Sequence, residues 1–149
     1  LGTHRPAGQA PGWFSGWEGG VPNCQWEREI RSTLLAKLAI NAVINPLTAI
    51  HRVTNGALLT APLAEDTERL TREVQTLLRA GGADQIAEAL PARVTEVCSQ
   101  TAKNHSSMRV DVEQGRPTEI EAIAGWLLSE WVDEPPPSPF LRHLYQTIR

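Results

Sequence analysis

Lys37-Leu38-Ala39-Ile40-Asn41-Ala42-Val43-Ile44-Asn45-Pro46 is the stretch on which the reading of this chain turns. With Leu34, Leu35 and Ala36 just ahead of it, it leaves almost no solvent-facing side when wound as a helix. A helix that is apolar all round is expected to be buried. Lys37, Asn41 and Asn45 interrupt that surface at four-residue steps, which on a helix is one stripe drifting by about 40° per step. A cation and two amides on a buried rod must face something polar, because burial without a partner costs roughly several kcal/mol. Two readings stay open: the single wet edge of the helix, or the lining of an internal pocket for a small anionic or carbonyl ligand. Asparagine is a poor helix former, so two of them here ask for a reason beyond helix formation.

Outward from that stretch the periodicity is helical almost throughout. The spacing predicts a first helix over 26–45, ended by Pro46 because proline disfavours helical geometry in the residue before it. A broken segment over 47–61 follows, with Asn55-Gly56 as a turn signal. Pro62 suits the first turn of a helix reaching residue 80, with Glu65/Arg69 and Glu68/Arg72 as outer i,i+4 pairs and Gly81-Gly82 as its stop. A helical hairpin of 83–90 and 92–102 comes next, with Val94, Val97, Cys98 and Thr101 facing inward. Ser106 or Ser107 caps a short helix to residue 114. Thr118 and Glu121 form a capping box for the helix carrying Ile120, Ile123, Ala124, Leu127, Leu128 and Trp131. A final amphipathic helix over 139–148 follows a triple-proline spacer. The class is all-α. Residues 1–22, which hold six of the 11 glycines and three of the 11 prolines, read as an irregular stub ahead of a helical domain over 23–149.

Composition narrows the function. At 149 residues, 41% hydrophobic and 21% charged, the chain can build a core without staples. Its net charge of -3 offers no basic excess for phosphate, against a nucleic-acid or anionic-membrane partner. Cys24 and Cys98 are far apart with no CxxC, which suits a reducing, cytoplasmic setting, and the four histidines lack ligand spacing, so no metal site is expected. The apolar runs are broken by asparagine, so none is expected to cross a membrane. Leu1 is not an initiator Met and no signal peptide follows, so a piece of a longer chain is expected. The glycines of 12–20 do not spell GxGxxG and no phosphate-cradling loop is present. Two further polar features have plain explanations available. Asn104-His105-Ser106-Ser107 reads as loop plus cap, and Glu119 as a first-turn carboxylate complementing the helix dipole.

Three blocks nevertheless share a likeness. The run from Lys37 through Asn41 and Asn45 to Pro46-Leu47-Thr48-Ala49 resembles the signature of ketopantoate reductases. Asn104-His105-Ser106-Ser107-Met108 with Asp111, and Gly115-Arg116-Pro117-Thr118-Glu119-Ile120-Glu121-Ala122-Ile123 with Gly125, resemble that family's next two blocks in the right order. The resemblance implies a helical substrate domain like the C-terminal domain of 6-phosphogluconate dehydrogenase, normally preceded by a Rossmann domain that holds NADP(H) and that this chain lacks. It implies reduction of ketopantoate, a small 2-oxo acid, to pantoate on the way to pantothenate. It implies Lys37 as proton donor; Asn41, Asn45, Asn55, Asn104 and Ser107 holding substrate; and Glu119 between substrate, lysine and the cofactor's edge. The chain alone is then expected to be inactive, and a homodimer is left open. Two alternatives stand beside this reading: a reductase of another branched 2-oxo acid, and a non-catalytic helical interaction module derived from such an enzyme.

Overall fold

A computed structural model describes Ala10, Phe14 and residues 29–149. The irregular stub expected over 1–22 lies outside the described residues except at those first two positions. The chain divides into two compact units, Leu1–Lys37 and Leu38–Arg149, with the boundary inside the first helix.

Helices α1 (Ile30–His51), α2 (Leu63–Ala80), α3 (Asp84–Gln100) and α4 (Ser107–Glu113) come in order, with a 3-10 turn at Asn55–Leu59 between α1 and α2. A π-helical turn, Glu121–Gly125, runs directly into α5 (Trp126–Ser129), and α6 (Pro139–Ile148) ends the chain. No strand occurs among the described residues. The all-α expectation holds.

In the second unit, α2 and α3 pack as an antiparallel pair over the 3-10 turn, and α6 lies against α2 and the π turn. Leu70, Val74, Leu77 and Leu78 of α2 are fully buried, as are Ala87 and Cys98 of α3. Burial pushes the Cys98 thiol up to about 11, so at neutral pH it stays protonated and packs as a small apolar group. The start of α6 is capped from another helix: the Glu73 carboxylate accepts from the backbone N–H of Phe140 at 3.1 Å and of Leu141 at 2.8 Å. Arg69 lies 4.6 Å over the Phe140 ring.

Four local expectations are corrected. The first helix does not stop at Pro46 but runs to His51, because residues 39 and 42–49 are all buried and tertiary packing outweighs the local penalty. Its true end is an αL cap that carries no glycine: Arg52 has φ 54°, and the Val53 N–H reaches back to the Thr48 carbonyl at 3.3 Å. The expected hairpin at Pro91 is one continuous helix, α3. Proline removes the N–H that would serve the Ala87 carbonyl, and Gln75 of α2 supplies the donor instead, Nε2 to Ala87 O at 2.7 Å. Neither expected i,i+4 ion pair on α2 forms; Arg69 goes to Phe140, and Arg72 Nε reaches only the Glu68 carbonyl, at 3.4 Å. The capping box is half made. Thr118 Oγ1 accepts from the Ile120 N–H at 3.3 Å, but Glu121 turns away to take the Tyr145 hydroxyl at 2.8 and 3.0 Å, with Arg149 at 3.7 Å. That carboxylate holds the Tyr145 phenol above its ordinary value.

The Gln75 bond makes a prediction. Gln75→Ala leaves a carbonyl unpaired at a fully buried residue and is expected to cost about 1–3 kcal/mol in denaturant unfolding. In the Pro91→Ala background, where the backbone donor returns, the same change should cost a few tenths of that. Equal costs in both backgrounds would show that Gln75 does not stand in for the missing N–H.

The membrane expectation meets one qualification of composition. By length and apolar content α1 could cross a bilayer, and half of its apolar window is buried inside the fold, as in the core helix of a folded protein.

Candidate functional site

The first unit contributes Lys37. It is exposed, and so is Leu34, at 50%. This corrects the expectation that the helix is buried from Leu34 onward: full burial begins at Ala39, and Arg31, Ser32 and Thr33 ahead of Leu34 are exposed as well. Counting apolar residues could not show this, because apolarity on every side says that a helix wants cover, not that its own fold supplies it. Lys37 forms no ion pair with another described residue.

The second unit holds the other expected residues. Asn41 is half-buried and Asn45 is 6% exposed. One turn on, Thr48 ties this helix to the Asn104–Ser107 block. The Arg109 N–H donates to Ser106 Oγ at 3.1 Å, Ser106 and Thr48 share a hydrogen bond at 2.7 Å, and the Thr48 hydroxyl faces the Ile44 and Asn45 carbonyls at 2.8 and 3.1 Å. Ser106, not Ser107, is therefore the cap of α4, and it is buried while Ser107 is exposed beside it. That division leaves the Ser107 hydroxyl available.

Asn55 is drawn to the same block from another direction. Its backbone N–H donates to the Asn104 carbonyl at 3.0 Å, and the Gly56 N–H donates to Ala102 O at 3.1 Å. A Cβ on Gly56 would meet the Ala102 Cβ at 2.7 Å, so glycine is what lets the two segments lie this close. The Asn55 side chain gives its Nδ2 to Thr101 Oγ1 at 2.9 Å. Its Oδ1 is buried and has no partner. The Asn104 side chain is exposed.

Thus two sets of bonds meet along residues 101–107: Thr48, next to Asn45 on its helix, reaches Ser106, and Asn55 reaches Thr101 and the Asn104 carbonyl. Glu119 is tied to neither. Its carboxylate is exposed and pairs with no described residue, and only its carbonyl is used, by the Ile123 N–H at 3.0 Å. The acidic and basic groups nearby are spent elsewhere: Arg116 pairs with Asp111, and Arg109 with Glu113, whose carboxyl it holds below the usual range.

Two clefts of about 520 Å³ each open on this unit. One lies between the 3-10 turn, α2 and α3, with Leu58, Thr71 and Val94 among its walls, and contains none of the expected site residues. The other, walled by Arg116, Thr118, Glu121 and Arg149, adjoins Glu119 but not the asparagines. Neither cleft is the amide cluster. The cluster leaves one buried acceptor, Asn55 Oδ1, without a partner. No group of three or more His, Cys, Asp or Glu residues suited to a metal occurs among the described residues.

Sequence reasoning by itself gave Asn55 only as a turn residue, and missed Thr48, Thr101 and Ser106 as the groups holding the cluster together. Their partners lie 46 and 58 positions away, so no local spacing marks them.

Comparison with known proteins adds the following. Residues 29–149 match the family described as "Ketopantoate reductase PanE/ApbA C terminal". The 2-dehydropantoate 2-reductase of Vibrio cholerae is 40% identical over 124 residues, covering 83% of this chain and 42% of that protein. The enzyme of the same name from Bacillus subtilis is 40% identical over 125 residues, covering 83% and 41%. Among solved structures, the probable 2-dehydropantoate 2-reductase panE from Bacillus subtilis superposes with a TM-score of 0.72, over 83% of this chain and 41% of that one. A PanE/ApbA family ketopantoate reductase from Ralstonia eutropha superposes with a TM-score of 0.73 at 24% identity, a likeness of fold alone. The chain spans about two fifths of the length of the relatives it matches.

Proposed function

Since the chain belongs to the ketopantoate reductase family, matching its C-terminal part, we propose that residues 23–149 are the substrate-binding and proton-donating domain of a 2-dehydropantoate 2-reductase, completed by a dinucleotide-binding domain of the parent protein. Beyond family membership, the observation that carries this reading is the buried, unpaired Asn55 Oδ1 within a cluster of amides and hydroxyls. A polar atom left without a partner inside a folded protein asks for a ligand to complete it.

The cofactor fits this chain only at its edge. Among the described residues there is no strand, hence no strand–loop–helix cradle for phosphates. A dinucleotide would be held mainly outside this chain, with the exposed Glu119 carboxylate suited to accept from a ribose hydroxyl or a carboxamide. A reduced nicotinamide, NADPH in this reading, supplies the hydride. Everything else falls to side chains. Lys37 Nζ gives a proton to the carbonyl oxygen of the 2-oxo acid as the carbon gains hydride, so the C=O becomes C–OH and the lysine, left neutral, is reprotonated from water. Its exposed position, paired with no described residue, suits the ammonium to meet the carbonyl, and closure of the parent's other domain would exclude water. Asn41, Asn45, Asn55, Asn104 and Ser107 orient hydroxyl and carboxylate groups without adding charge.

The test uses the full-length parent protein with NADPH or NADH and a panel of branched 2-oxo acids. Ketopantoate-dependent oxidation of NADPH is expected, with kcat/KM about tenfold or more above that for 2-oxo-3-methylbutanoate. Preference for another acid would reassign the substrate. No turnover with any acid would leave a helical interaction module.

A further inference from the structure

We propose that Thr101 is the positioning residue that fixes the Asn55 amide with its oxygen toward the ligand, so that this site selects 2-oxo acids carrying a hydroxyl donor; the inference rests on the proposed function above.

A threonine hydroxyl has one hydrogen to give. At Thr101 that hydrogen is committed to its own helix: Oγ1 donates to the Val97 carbonyl at 2.6 Å. Toward Asn55, 2.9 Å away, the oxygen can only accept. Only the NH2 end of the Asn55 amide can therefore face Thr101, and the amide's orientation is set by chemistry. Once Nδ2 is placed, Oδ1 is placed too, on the opposite side.

The backbone locks the rest. The Asn55 N–H to Asn104 O bond and the Gly56 N–H to Ala102 O bond fix the turn, and the Asn104 N–H to Thr101 O bond at 2.8 Å closes the segment beneath it. Asn55 is 8% exposed, and Oδ1 is the one buried side-chain polar atom without a partner among the described residues. An amide oxygen in that position is pure acceptor. The carboxylate and the ketone of a 2-oxo acid are also acceptors and would repel it. A hydroxyl hydrogen is what it can take. Thr101 thereby converts a residue able to present either end into a filter of one polarity.

The test is made in the full-length parent enzyme with two substrates, ketopantoate and the same skeleton without the hydroxyl, 3,3-dimethyl-2-oxobutanoate. Thr101→Val keeps the shape but removes the acceptor. It should raise KM for ketopantoate about tenfold or more, leave kcat within about twofold, and leave KM for the dehydroxy acid unchanged, which is the signature of a lost binding contact. Thr101→Ser, which keeps the hydroxyl, should return KM to within about threefold. Asn55→Ala should reproduce the selective loss. Should Thr101→Val shift both substrates equally, or neither, Thr101 does not orient the amide. If Asn55→Ala is selective while Thr101→Val is not, the Thr101 inference falls and Asn55 keeps its place in the site. If neither is selective, Oδ1 serves a resident water and the inference falls. A parent enzyme that reduces neither acid overturns the functional reading itself.

Discussion

Lys37→Ala in the full-length parent enzyme is expected to lower kcat for ketopantoate by about 10²–10⁴-fold, the usual worth of a positioned general acid. Hydride addition turns a ketone into an alkoxide, and a group that neither supplies a proton nor offsets the charge leaves that oxygen uncompensated. Lys37→Arg separates these two services. A guanidinium brings the charge but does not release its proton, so a variant that remains as slow as Lys37→Ala assigns the role to proton donation, and one that recovers most of the rate assigns it to charge alone. KM should move far less than kcat, since the interaction is made as the transition state forms. Lys37 is exposed and pairs with no described residue, so its removal leaves no orphaned partner and the fold should be untouched. Equal thermal midpoints of variant and parent check that point. Turnover by Lys37→Ala at the parent's rate would end the acid assignment.

Helix content was legible because it is written locally. The apolar faces of α2, of α6 and of the segment carrying Ile120 to Leu128 follow from spacing alone, and a serine cap at 106 or 107 follows from one residue type ahead of one apolar run, the structure choosing Ser106. What failed was each inference in which a local rule met a distant partner. Pro91 should break a helix, but Gln75 donates to the carbonyl it abandons. Glu121 should close a capping box, but Tyr145 from the last helix offers it a hydroxyl. A rod greasy on all sides should be buried from Leu34 on, but Leu34 and Lys37 are exposed and full burial starts only at Ala39. The site divides the same way. The Lys37, Asn41 and Asn45 stripe is visible as a period of four, whereas Asn55 enters only through the family resemblance, and Thr101 is defined by a contact 46 residues distant. Hydrogen-bond satisfaction is an accounting over the whole fold, and a sequence exposes only its local column.

Gly81→Ala should be the most damaging single-methyl change in the domain. The position does not need glycine for its backbone, since φ is -93° there. It needs glycine for space: a Cβ would land on the Trp131 indole, nearer to Cε2 than nonbonded atoms approach. That indole is held by its Nε1–H to the Leu77 carbonyl at 2.8 Å, one of the acceptors at the end of α2, and its centroid is 5.4 Å from that of Trp126. The added methyl must push the ring off this seat, so the cost joins overpacking of about 1–3 kcal/mol to a lost hydrogen bond of about 1 kcal/mol. At about 2–4 °C per kcal/mol for a domain of this size, the midpoint should fall by roughly 5–15 °C. Gly82→Ala is the internal control. It has φ 76° with open space around it, so it should cost only the left-handed penalty of about 1–2 kcal/mol. In a Trp131→Leu background the ring is gone, and Gly81→Ala should become neutral or slightly stabilising, the alanine restricting the unfolded chain. A cycle of these two changes should then return a coupling of about 2 kcal/mol or more. A Gly81→Ala cost that persists undiminished without the indole would mean that the glycine answers to something other than Trp131.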